Sequence, residues 1–426
     1  MPNYKLIPYG VSDFRAIRNG NKYYCDKTMY LPRMEETADF LFLIRPRRFG
    51  KSLFMSMMEY YYDINRKDDF ESLFGGLWIA DHPTELRGQF EVLKLDFSQV
   101  GGNIDNLYDN FNRYMCIALD VYAESYADRY PEGFIDKVKS YGTYDGKIGY
   151  INRVSNRFGH KKYLIIDEYD NFTNNVLNEK GEAVYHALTH ASGFYRDVFK
   201  LFKGNFDRIL MMGVSPVTLD DVTSGFNIAY NISTDPQFNM ILGFSEDDVR
   251  QMIRYYQSVG AITADEEALV AEMKPWYDNY CFSEEAVLTD PKLFNSDMVL
   301  YYLKSIIAHG KAPKDMIDNN TRINLDKLLQ LDKLEKVQTP NGVRHDILYK
   351  IALDGGILQN VNLSFPAYRM ADKENFVSLL YYYGMLTYGK PDGAKSNLVI
   401  PNNNVRQQYN HYLLRGYQEI ASFDVR

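Results

Sequence analysis

The sequence predicts an α/β protein: a parallel sheet with helices on both faces, then a helical lid, then a winged-helix-like C-terminal module. Three observations predict it. Short, near-continuous apolar runs at 40–44, 92–97, 163–166 and 209–214 alternate with long stretches of helical pattern. After Gly243 the apolar runs give way to amphipathic helical segments. Near the C-terminus a helical segment is followed by two short apolar runs around a turn-forming Gly-Lys-Pro-Asp-Gly cluster.

Runs that are apolar throughout suit strands covered on both faces. Strand, long connection, strand, repeated, is the pattern of a parallel sheet. Residues 104–126, long and of mixed polarity, read as helix, and so do residues 53–62 after the first run. A fifth strand falls at 227–232 or at 238–242; the pattern does not choose. Ser245 followed by Glu246, Asp247 and Asp248, then Val249, Met252 and Ile253, has the form of a capped helix start. Helical pattern continues through 266–276 and 296–308. In the last segment 373–382 reads as helix, with strands at 385–388 and 397–400. The expected division is 1–245 for the sheet domain, 246–330 for the lid and 331–426 for the winged-helix-like module.

A chain of 426 residues is too long for one ordinary core, and 46% hydrophobic content is ample for globular folding. Its net charge of −8 argues against a surface built for nonspecific nucleic-acid binding. Lys373, Lys390 and Lys395 are too sparse to make a basic patch in the tail. Cys25, Cys116 and Cys281 have no disulfide or zinc-site spacing, which fits a reducing compartment. No apolar run approaches the roughly 20 residues of a membrane span, and the N-terminus lacks a signal-peptide pattern. A cytoplasmic protein without a membrane partner is expected.

Two motifs carry the chemistry. IRPRRFGKS at 44–52 ends the first apolar run and opens a helix. A glycine at 50 lets backbone approach a phosphate closely, and a helix N-terminus presents N–H groups to it. This P-loop reading makes Arg47, Arg48, Phe49, Gly50, Lys51, Ser52 and Leu53 the nucleotide-binding segment. Lys51 reaches the outer phosphates and Ser52 offers its hydroxyl to Mg²⁺. The usual glycine five residues before Gly50 is replaced by Arg45, and Pro46 stiffens the loop. Arg47 and Arg48 either contact phosphate or pair with acids of the protein itself. The second motif, YLIIDEYD at 163–170, ends a strand with two carboxylates. Asp167 is placed to hold Mg²⁺, directly or through water, and Glu168 to orient and deprotonate the attacking water. The intervening run at 92–97 suits a sheet in which another strand separates the phosphate-loop strand from the carboxylate strand.

Ser215, at the end of the next strand, suits a γ-phosphate sensor or an ordinary Ser-Pro turn. Arg208 is a candidate to act in trans on a neighbour's nucleotide, and Arg250 and Arg254 to close on the phosphate from the lid.

With these residues on the page, the chain resembles the prokaryotic AAA-ATPase-like family. The match runs through YYCDKTMYLPRMEE, RPRRFGKS, LIIDEYD, MGVSPVT, LGFSEDDV and KPWYDNYCFS. The resemblance implies ATP as the nucleotide, with Gly50, Lys51, Ser52, Asp167 and Glu168 in their usual roles, and makes Arg45 a family feature. Asp26 and Lys27 match its D-K-T segment without an assigned job. Members commonly carry a nuclease-like C-terminal domain; no acidic pair with a Glu-x-Lys follows here, so no nuclease activity is expected of these 426 residues. Three functions compete: a Mg-ATP-driven switch or remodelling enzyme acting on a protein partner or a second copy, a nucleotide-binding scaffold with negligible turnover, and a DNA-associated module.

Overall fold

Four apolar runs become strands that are largely buried, because their side chains leave no face for water, and a short fifth strand with an exposed Tyr230 lies at the sheet edge. The computed structural model describes residues 4–101, 106–171, 193–216, 229–318, 343–366, 369 and 372–421. Helices α1 (Phe14–Asn19) and α2 (Tyr30–Thr37) precede β1 (Phe40–Ile44), and α3 (Lys51–Tyr62) follows it after a short loop. Then come β2 (Phe90–Asp96), α4 (Leu107–Ser125), α5 (Tyr144–Phe158), β3 (Lys161–Asp167), α6 (Phe194–Asn205), β4 (Arg208–Gly213) and β5 (Tyr230–Asn231). All pairings in this sheet are parallel, in the order β2-β3-β4-β1-β5.

The fold class is therefore the expected one. A strand does separate β1 from β3, but it is β4; the run at 92–97 lies in β2, at the sheet edge beyond β3. Helical crossovers free a parallel sheet from sequence order, so strand sequence alone does not name the separator. The fifth strand lies within 227–232. The alternative, 238–242, is a tight turn after a 3-10 helix, Pro236–Phe238.

Helices α7 (Glu246–Ser258), α8 (Glu266–Tyr277) and α9 (Ser296–His309) follow. Ser245 caps α7: its hydroxyl accepts from the Asp248 N–H and its own N–H donates to the Asp248 carboxylate. The three helices enclose a core of their own, built on Val249, Ile253, Val270, Met273, Val299 and Leu303. Residues 319–330, the expected end of the lid, lie outside the described residues.

The C-terminal segment runs α10 (Val343–Asp354), β6 (Gly356–Leu358), α11 (Lys373–Tyr382), β7 (Thr387–Tyr388), β8 (Asn397–Val399) and α12 (Asn403–Ala421). β8 pairs antiparallel with both β6 and β7. Phe376, Leu379 and Leu380 of α11 join the same buried apolar cluster as the sheet. The sheet and the C-terminal segment are thus packed through one continuous core, while α7, α8 and α9 keep a separate one.

Candidate nucleotide site

The C-terminal ends of parallel strands β1, β3 and β4 open on one cavity of about 830 Å³. Its walls are the loop between β1 and α3, segments of the first 27 residues, the start of α9, and residues of the C-terminal segment including Tyr383 and Asn404. An open crevice beyond the carboxyl ends of strands is where such sheets bind ligands.

Gly50 sits at φ +95° as the N-cap of α3, a conformation that favours glycine. A side chain there would meet little, since the nearest atom, Ser296 Oγ, lies 4.0 Å from an added Cβ. The requirement is therefore backbone conformation rather than space. Lys51 is 6% exposed and folds back over the loop, its Nζ donating to the carbonyls of Arg45 and Pro46, each at 2.9 Å. Burial pushes its ammonium down to about 8; Asp167, Glu168 and Asp170 oppose that fall.

Ser52 Oγ donates to Asp167 Oδ2 at 2.6 Å, joining the two motifs. Burial raises the Asp167 carboxyl, against the opposing influence of Ser52 and Lys51. Glu168 follows in the left-handed region at φ +50° and lines the cavity. Its carboxylate lies 4.0 Å from the Arg47 guanidinium. Of the loop residues, Arg47, Arg48, Phe49, Gly50, Lys51, Ser52 and Leu53 all line the cavity.

The two loop arginines differ. Arg47 is about half exposed and faces Glu168. Arg48, at φ +69°, turns to the start of α9, pairing with Asp297 and lying 3.6 Å from Asp318. Its carbonyl accepts from Ser296 Oγ and the Asp297 N–H. Arg45 is buried and donates to the carbonyls of Ile44, Ser233 and Phe238 at 2.9, 2.6 and 2.9 Å, over the ring of Phe282. Burial lowers its guanidinium to about 10. The residue in the usual glycine position thus braces the loop and does not line the cavity. Phe49 packs edge-on against Tyr280 and Phe282.

Ser215 is fully buried: its N–H donates to Asp170 at 2.7 Å and its carbonyl accepts from Tyr169 at 2.8 Å. Its neighbour Val214 lines the cavity and Ser215 does not. Arg208 opens β4 at the opposite end of the sheet, bonded to the Glu35 carbonyl and 3.0 Å from Asp39. Arg250 is captured by Glu246, Glu266 and Glu267, and Arg254 by Glu266, so neither faces the cavity. Asp26 caps Thr28 and accepts the Trp78 N–H, a local brace. Lys27 lines the cavity and pairs with Asp248 of α7 at 2.9 Å. Sequence reasoning missed Asp170, Asp297 and Tyr383. The tyrosine run at 381–383 was the one signal for the last.

A hydroxyl and a carboxylate are hard oxygen donors suited to Mg²⁺. Among the described residues no group of three or more His, Cys, Asp or Glu side chains could hold a metal. Ser52 and Asp167 supply one donor of each kind, beside a helix N-terminus and Lys51, and a cation there would take its other ligands from phosphate and water.

A model of the family described as "Predicted AAA-ATPase" matches residues 8–223 of the 426. The chain belongs to the Predicted AAA-ATPase family. The matched span carries both motifs of this AAA-ATPase-like chain. A curated relative from Azotobacter chroococcum mcd 1, "Uncharacterized protein in vnfD 5'region", is 26% identical over 291 residues, 66% of this chain and 50% of that protein. The chain thus spans about half the length of that relative. Among solved structures, the Aeropyrum pernix ORC2 protein (ADPNP–ADP complexes) aligns over 97% of this chain and 96% of its own, at 11% identity and TM-score 0.33. The Aeropyrum pernix ORC1 protein in complex with DNA aligns over 91% of each chain, at 10% identity and TM-score 0.31. At those TM-scores neither likeness bears on function. Among the described residues no helix is long and apolar enough to cross a membrane.

Proposed function

We propose that this chain binds Mg-ATP in the cavity between sheet and lid and hydrolyses the terminal phosphate, acting as a nucleotide-driven switch or remodelling module. The observation that carries the reading is the 2.6 Å contact of Asp167 with Ser52, which lines one cavity together with Lys51 and Glu168.

In this reading the loop from Arg47 to Leu53 cradles the phosphates with its backbone, and Lys51 leaves the Arg45 and Pro46 carbonyls for the outer phosphate oxygens. Mg²⁺ held by Ser52 and Asp167 would offset the charge that develops on the transferred phosphoryl oxygens. Glu168 orients the attacking water and takes its proton. Arg47 lies beside Glu168, its guanidinium 4.0 Å from the carboxylate. Ser215 acts from within the protein, through Asp170, rather than by touching phosphate. Arg48 ties the loop to the lid, so phosphate contacts at the loop are felt at α9. We read residues 343–421 as winged-helix-like from the order helix, strand, helix and β-hairpin. A protein partner or a second copy in the cytoplasm would read the motion.

The test is a Mg-ATP titration with phosphate release on wild type, Lys51→Ala and Glu168→Gln. Lys51→Ala should weaken binding at least about tenfold, and Glu168→Gln should bind normally and release phosphate about a hundredfold more slowly, on the scale of a lost catalytic base. A wild type that binds no nucleotide sinks the reading. A second reading, a scaffold with negligible turnover, is favoured by the pairing of Glu168 with Arg47 and of Lys51 with loop carbonyls. Steady phosphate release above the Glu168→Gln level removes it.

A further inference from the structure

The first turn of a helix leaves N–H groups without partners inside the helix, and those groups favour negative charge beyond its end. Helix α3 presents such a turn to the cavity, starting at Lys51. A second helix does the same from the C-terminal segment. α12 begins at Asn403, and Asn404 and Val405 of its first turn line the cavity. The Asn402 side chain caps this helix by accepting the Val405 N–H at 3.2 Å, which leaves the N–H groups of Asn403 and Asn404 outside the cap.

The side chain of Asn404 is a second and independent observation. The residue is only 8% exposed. Its amide oxygen accepts from Gln408 at 2.9 Å, and its amide N–H₂ has no partner among the described residues. Buried donors left idle cost free energy until a ligand takes them. The helix end is fixed in place: the Asn402 amide donates to the Asp278 carbonyl and the Asn279 amide to the Pro401 carbonyl, each at 2.9 Å. The next residue, Tyr280, packs edge-on against Phe49 of the phosphate loop. Gly384, at φ +74°, is pressed onto the same loop, where an added Cβ would lie 2.9 Å from Pro46. The start of α12 is thus held against residues that themselves pack on the phosphate loop.

Donors on a helix N-terminus select an anion. We propose that the Asn404 amide and the first turn of α12 bind a phosphate group of the nucleotide, so that the C-terminal segment completes the site. That the phosphate belongs to a nucleotide rests on the reading above; that the place takes a phosphate anion rests on geometry alone.

Asn404→Asp is the informative change. It keeps an oxygen for Gln408, and a carboxylate in a first turn favours the helix, so the ligand-free variant should unfold in urea no earlier than wild type. Its affinity should nonetheless fall by about a hundredfold, for Mg-ATP and for inorganic triphosphate with Mg²⁺ alike, because a carboxylate then faces phosphate. Asn404→Ala should lose about tenfold on both probes, the scale of one hydrogen bond to a charged group. A purely structural Asn404 predicts the reverse, lower stability with affinity unchanged. In wild type, bound triphosphate should slow amide hydrogen exchange at Asn403 and Asn404 by about tenfold; this arm decides even where a variant folds poorly. Wild-type affinity in Asn404→Asp, or exchange at Asn403 and Asn404 unmoved by bound triphosphate, would each overturn the proposal. If wild type binds triphosphate but not ATP, the nucleotide reading fails on its own, and the triphosphate arm still decides the role of Asn404. If neither probe binds, both fall.

Discussion

Ser52 and Asp167 stand 115 positions apart in sequence and 2.6 Å apart in space. The donor is a hydroxyl and the acceptor a carboxylate, so a divalent cation arriving with phosphate would take both oxygens. Ser52→Ala and Asp167→Asn are each expected to remove about tenfold of the Mg²⁺-dependent gain in ATP affinity, or about 1.4 kcal/mol, and to leave Mg²⁺-free binding unchanged. Calorimetric titrations with magnesium and with chelator measure this. An equal gain in all three proteins would refute it.

The pH dependence of binding should carry the mark of Lys51. Its ammonium is held at about 8 in the free protein, chiefly by burial. Phosphate oxygens would favour the charged form, so binding takes up a proton above that pH. Affinity should be flat below about pH 8 and fall by up to about tenfold per unit above it. For stability the sign is the opposite of a paired lysine. The unfolded chain binds more protons between about 8 and the ordinary 10.5, so this group's contribution rises with pH across that window. Titrations in buffers of different ionisation enthalpy count the protons directly, and zero uptake at pH 9 would exclude the assignment.

Replacing Arg45 by glycine restores the commoner loop pattern, yet we expect it to harm the protein. It strips partners from the buried carbonyls of Ser233 and Phe238 and removes the cation over Phe282. The cost should be about 3 kcal/mol. Arg45→Lys should not rescue it, because one ammonium does not span the same set of acceptors. Urea midpoints at constant m measure the loss; a glycine variant as stable as wild type would show that the brace is idle.

Lys27 and Asp248 fasten the N-terminal D-K-T segment to helix α7, with side chains 12% and 20% exposed. Lys27→Met leaves a mostly buried carboxylate unpaired and should cost about 3 kcal/mol. Asp248 also caps α7, so Asp248→Asn is the suitable second change: it removes the charge and keeps an oxygen for the Ser245 N–H. The double variant should be more stable than Lys27→Met alone. The Asp248 carboxyl is held below its ordinary value by Lys27 and by the cap, so its contribution is present above about pH 4 and lost as pH falls further. That acid loss should shrink in Lys27→Met, as acid unfolding curves would register.

Much of this architecture was legible in the residues. The helix 373–382 and the Ser245 cap were readable because each is specified locally, by periodicity and by a side chain three residues from its partner. The two motifs were readable because phosphate chemistry constrains residue type at fixed spacing. What escaped notice was long-range. Arg45 reads only as a replacement for the usual loop glycine, and nothing nearby in sequence shows that carbonyls 188 and 193 positions away hold it. Arg48 finds Asp297 and Arg250 finds Glu267 through tertiary packing that charge patterning does not encode. β5 has only two residues, too few to show any alternation.

The insertion of β4 between β1 and β3 makes that strand a spacer. Strands repeat at about 4.8 Å, so two such steps set the width between the loop-bearing and acid-bearing strands. Exchanging the side chains of Met211 or Met212 would leave this span untouched, whereas one extra residue in β4 would bulge the ladder and shift Gly213 out from under Tyr169. Lineages of this chain should therefore exchange the buried side chains of β4 for others of similar volume but keep its length.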